Sequence, residues 1–82
     1  MVDLLYFAWL RERVGVARES VETSAVSVAD LVEELKARDP RYAAAFADTS
    51  VVRVALDQDL ADFSAPLAGV KEIAFFPPMT GG

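Results

Sequence analysis

The order of apolar and polar positions divides this 82-residue chain into alternating stretches and one clear helical stretch. Val2, Leu4, Tyr6 and Ala8 fall on one side of a period-two run, and Asp3, Leu5, Phe7 and Trp9 on the other, so Val2 to Leu10 is expected as a strand. Large apolar groups on both sides place that strand centrally, covered on one face and partly on the other. Leu10 to Gly15 is expected as a polar connection, with the alternative of one helical turn closed by Gly15 at its C-cap. Arg18 to Thr23 alternates again, with Val21 inward and Glu19 and Glu22 outward, and a link this short favours an antiparallel hairpin with the first strand.

Ser27-Val28-Ala29-Asp30 is an N-cap signal close to a capping box, with Asp where Glu is usual. Val28, Leu31, Val32 and Leu35 then repeat at helical spacing as a single apolar stripe. Asp39-Pro40 ends it, since the residue before proline is pushed out of the α region. Arg41 to Ala47 is alanine-rich, with Tyr42 and Phe46 one helical turn apart as core plugs of a short second helix. Ser50 to Leu56 reads as a third strand with Val52, Val54 and Leu56 on one face. Asp57-Gln58-Asp59 is a turn from which Leu60 and Ala61 pair back. After the loop from Ser64 to Gly69, Val70 to Phe76 forms the last strand.

The order β-β-α-β-β around one main helix fits an α+β architecture, the β-grasp or ubiquitin-like fold, with a mixed sheet packed on the helix. In that fold the first and last strands are adjacent and parallel. Residues 1–76 form the domain, and 77–82 remain as a flexible C-terminal tail. Truncating Leu31 or Leu35 to Ala is expected to cost about 2–5 kcal/mol and to leave the tail chemistry intact.

Composition narrows the function. The chain has no cysteine and no histidine, which removes thiol nucleophiles, Cys-based metal sites and the commonest general base. Catalysis by this chain alone is not expected, nor is a bound metal. The net charge of −5 argues against nucleic-acid binding and favours partners with basic faces. No basic leader opens the sequence and no apolar run approaches a membrane span, so a cytoplasmic protein with no membrane association is expected.

The chemistry concentrates at Phe75-Phe76-Pro77-Pro78-Met79-Thr80-Gly81-Gly82. Pro77-Pro78 favours an extended path, and six residues at roughly 3.1 Å each project about 18 Å from the body. A stiffened stalk with a slim diglycine tip suits entry into another protein's pocket. A frayed terminus is the plain alternative.

The run Ile73 to Gly82 resembles the signature of the small subunit of molybdopterin synthase, the MoaD family. Leu5-Tyr6-Phe7-Ala8-Trp9-Leu10-Arg11-Glu12 resembles that family's first strand and following turn, and Ala55 to Leu60 its third-strand hairpin. Two departures stand out: Asp57 occupies a position where Asn is more usual, and Gly69-Val70-Lys71-Glu72 replaces a Gly-Asp-Glu type of turn.

The resemblance implies a ubiquitin-like sulfur carrier. An E1-like (MoeB-like) partner uses ATP to adenylate the Gly82 carboxylate, which a sulfur donor converts to a thiocarboxylate. A larger, MoaE-like synthase subunit then takes in the tail, Pro77, Pro78, Met79 and Thr80 included, and sulfur passes to a pterin precursor to build the dithiolene. Gly81 lets the tail through a narrow channel. The chain itself binds no cofactor. Phe7, Leu60 and Phe76 match apolar positions facing the large subunit, Arg11 matches a polar contact, and the assembly implied is a heterotetramer. A thiamine-type sulfur carrier, a ubiquitin-like protein modifier and a plain interaction module stay open as alternatives.

Overall fold

A computed structural model describes residues 1–78. Five strands, β1 (Val2–Tyr6), β2 (Arg18–Val21), β3 (Arg53–Leu56), β4 (Asp59–Ala61) and β5 (Glu72–Phe76), form one mixed sheet in the order β2-β1-β5-β3-β4. Helices α1 (Trp9–Val14), α2 (Val28–Arg38) and α3 (Pro40–Ala45) and a single 3-10 turn (Thr49–Val51) complete the described chain. β1 and β5 pair in parallel at the sheet centre, and the remaining pairings are antiparallel. This is the β-grasp arrangement. Among the described residues no helix is long and apolar enough to cross a membrane.

The main helix forms where its stripe predicts. Ser27 caps it by accepting the Asp30 N–H at 3.2 Å, and Val28, Leu31, Val32 and Leu35 are all buried. Asp39 ends α2 and caps α3 by accepting the Arg41 N–H at 2.8 Å, with Pro40 at the first helical position. Facing them, Val2, Leu4, Tyr6, Val21, Val54, Ile73 and Phe75 bury one side of the sheet. Tyr42 and Phe46 are core residues as expected, and the Phe46 ring meets Phe75 edge-on at 4.9 Å.

Several expectations differ from what is observed. β1 stops at Tyr6 rather than Leu10, because Ala8 adopts φ 54°, ψ −133° and turns the chain out of the sheet. The expected helical alternative after Ala8 is the one observed, a six-residue helix in which Leu10 and Val14, four residues apart, both turn into the core. Gly15 closes it at φ 97°, its N–H donating to the Arg11 carbonyl at 2.8 Å. Residues 49–51 form a 3-10 turn instead of the start of β3, where the Asp48 carboxylate accepts the Ser50 N–H at 3.0 Å. β2 and β5 are also shorter, starting or ending within two residues of the expected limits.

Glu19 is a further difference. It lies two residues from Val21 and so shares its inward side, rather than facing outward. Its Oε2 accepts the hydroxyl protons of Tyr6 at 2.8 Å and Tyr42 at 2.6 Å, tying β2 to β1 and α3. Burial, the hydrogen bond to Glu19 and its negative charge hold the Tyr42 hydroxyl up to about 12 and raise Tyr6 further. Both tyrosines therefore keep their protons after an unfolded chain has lost them near pH 10. Their contribution to stability is constant below about pH 10 and falls as pH rises toward the folded-state values. Urea unfolding from about pH 8 to 12 is expected to show that decline. The Tyr6→Phe/Tyr42→Phe variant, less stable at neutral pH, is expected to lose it.

Candidate functional site

β5 positions the candidate site, because it crosses the sheet centre and delivers the chain to Pro77 at one end. Its residues alternate: Ile73 and Phe75 are buried, whereas Glu72, Ala74 and Phe76 are half-buried on the opposite face. Among the described residues no helix covers that second face, because α2 and α3 share their core with the first.

The strand register sets out what the open face presents. Leu5 lies across from Ala74, Ala74 from Ala55, and Ala55 from Leu60. These four apolar residues sit on four adjacent strands, a strip about 14 Å long at the usual strand spacing. Leu60 is 75% exposed at its outer end.

One step nearer the tail, the Phe7 N–H donates to the Phe75 carbonyl at 3.1 Å, continuing the parallel pairing by one residue. Phe7 thereby comes alongside Phe76 on the same face, and it is 47% exposed. Phe7, Leu60 and Phe76, far apart in sequence, thus border one apolar surface next to the tail exit. Arg11 lies exposed on α1, which begins just beyond Phe7, with its N–H donating to the Ala8 carbonyl at 3.1 Å. Pro77 and Pro78 come directly after β5 and are half-buried. Met79, Thr80, Gly81 and Gly82 lie outside the described residues.

The far end of β5 is held by Asp57. Asp57 and Gln58 form the two-residue turn between β3 and β4, both at positive φ (49° and 73°), which matches a type I′ hairpin. The Asp57 carboxylate accepts the N–H groups of Lys71 and Glu72 at 3.1 and 3.0 Å, and the Asp57 N–H donates to the Glu72 carbonyl at 2.9 Å. Asp57 thus anchors the hairpin to the start of β5.

Sequence alone does not single out Leu5, Ala55 or Ala74 as members of this surface. Their period-two positions mark one face of each strand, but only the register joins those faces. Arg53 is likewise not singled out, although it lies directly across from Phe76.

The family model described as the ThiS family matches residues 4–82. The molybdopterin synthase sulfur carrier subunit of Escherichia coli (strain K12) is 38% identical over 82 residues, covering all of both chains. That of Haemophilus influenzae is 33% identical, again over the full length of both. Among solved structures, SAMP1 from Haloferax volcanii superposes with a TM-score of 0.76 over 99% of this chain and 98% of its own, at 23% identity. At that identity the likeness is one of fold. On its full-length matches, the chain belongs to the ThiS family and, within it, to the family of molybdopterin synthase sulfur carrier subunits.

Proposed function

We propose that this chain is the sulfur carrier of a molybdopterin synthase, with the Gly82 carboxylate as the group that is activated and sulfurated. The observation that carries the reading is the placement of the tail: the central strand β5 runs into Pro77 beside an uncovered apolar strip formed by Leu5, Ala74, Ala55 and Leu60 and bordered by Phe7 and Phe76. A partner that seats on that strip receives the tail in a fixed direction. Family membership supplies the chemistry of the cargo.

In this reading a carboxylate oxygen of Gly82 attacks the α-phosphate of ATP on an E1-like enzyme, and pyrophosphate leaves. Sulfur at the sulfide level, from a donor protein, then displaces AMP to give the thiocarboxylate. In the large synthase subunit that sulfur displaces a leaving group on a side-chain carbon of a pterin precursor, and water cleaves the remaining acyl–sulfur bond, restoring the Gly82 carboxylate and leaving the sulfur on the pterin. Acid–base groups come from the partners, since this chain contains neither histidine nor cysteine. Gly81 and Gly82 offer no side chain to obstruct threading or attack. Pro77 and Pro78 limit the entropy lost when the tail is ordered. ATP is a substrate of the activating partner, the small subunits occupy the two ends of a large-subunit dimer, and the cytoplasm is the compartment.

Intact-mass measurement of the chain purified from its own cells, with fragmentation of the C-terminal peptide, tests this. The expected result is a population in which one oxygen of Gly82 is exchanged for sulfur. A pool carrying only the free carboxylate, or Gly82 joined to lysines of other proteins, would refute the reading.

A further inference from the structure

The overall acidity of the chain suggests a basic partner, but the open face is not uniformly acidic. At the tail-exit end Arg53 lies across from Phe76, exposed, with its Nη1 donating to the Ser50 and Val52 carbonyls at 3.2 and 3.4 Å. Four residues back along β5, Glu72 lies across from Asp3. Two carboxylates directly opposite on neighbouring strands repel, and such a pair costs stability unless something offsets it. Arg18 bonds Asp3 at 3.0 Å and Ser20 donates to its other oxygen, but neither of them engages Glu72. Neither Arg53 nor Glu72 makes an ion pair among the described residues. The apolar strip therefore runs between an unmatched positive charge beside the tail and an unmatched negative one about 13 Å away at the strand rise per residue.

We propose that this arrangement helps set the docking orientation, and that the open face fits a partner whose apolar ridge is flanked by an acidic group on the side of its tail-receiving channel and by a basic group on the other side. The strip alone is nearly symmetric: Leu5 and Leu60 at its ends, Ala74 and Ala55 between. Phe7 and Phe76 flank only the tail side of the strip, so apolar contact already favours tail-to-channel seating. The two charges reinforce it, because the rotated pose sets like charges together. The occupant is the large synthase subunit, so the inference rests on the function proposed above.

The test is stopped-flow association of the full-length chain with the large synthase subunit from the same organism, over a series of salt concentrations. The variants are Arg53→Glu, Glu72→Lys and, away from the open face, Lys36→Glu, each with its melting temperature checked. At low salt Arg53→Glu and Glu72→Lys are both expected to slow association by on the order of tenfold, and the differences to vanish at high salt. Lys36→Glu is expected to stay within about twofold of the parent.

If net charge alone governed the encounter, Arg53→Glu and Glu72→Lys would shift the rate in opposite directions, and that result overturns the proposal. So does an unchanged rate in either variant. Failure of the parent chain to bind the subunit at all would instead refute the function on which the inference rests.

Discussion

Deletion of Gly81 and Gly82 is expected to abolish sulfur transfer completely while leaving the domain as stable as before. Every core residue among those described precedes Pro77, so that core is built without Gly81 and Gly82. The measurement is dithiolene formation from a pterin precursor by the reconstituted synthase, beside thermal unfolding of the same preparations. The deletion is expected to give no product at an unchanged melting temperature. Residual activity would mean that the reacting carbonyl is not at Gly82. A plain interaction module with a frayed end predicts no effect from the deletion, so the experiment separates that alternative from any carrier.

Two neighbouring phenylalanines are expected to respond to truncation in opposite ways. Phe75 is fully buried, stacked on Tyr6 at 5.9 Å and met edge-on by Phe46 at 4.9 Å. Phe75→Ala is expected to cost about 3–5 kcal/mol through lost contacts and the cavity left behind. For a domain of this size that lowers the melting temperature by roughly 12–40 °C. A total stability of about 5–15 kcal/mol leaves little margin for such a loss. Phe76 points to the other side of the sheet beside the tail exit, and Phe76→Ala is expected to cost about 1 kcal/mol or less in stability. Its effect falls on docking, where removal of an aromatic anchor weakens binding to the large subunit by on the order of 30-fold. Urea denaturation and binding isotherms for both variants check this. Equal stability losses would place both rings in one core and remove the basis for a docking surface.

The two residues also show how far sequence reading reaches. Alternation along Ile73-Ala74-Phe75-Phe76 states that Phe75 and Phe76 face apart, and it does not say which face the helices cover. Glu19 illustrates the opposite error: its charge suggests an outward position, although its spacing from Val21 already puts it on the inner side. Two tyrosine hydroxyls make that position tolerable, and one comes from α3, a contact no local pattern reveals. Helix α1 carries a helical signal in Leu10 and Val14, but the arginines and glutamate between them disguise it as a polar link.

Local pattern and composition suffice for part of this protein. Helix α2 comes from one apolar stripe between a serine cap and Asp39-Pro40. The α+β order comes from the succession of periods, and the proposed site chemistry from the family resemblance carried by the run Ile73 to Gly82. Which faces join is a matter of the folded chain alone. Parallel pairing of β1 with β5 brings Phe7 beside Phe76, and the β5-β3-β4 register extends Ala74 through Ala55 to Leu60. Side-chain alternation is a property of one strand, whereas register is settled by pairing between segments some seventy residues apart, and only the burial of a common core selects it.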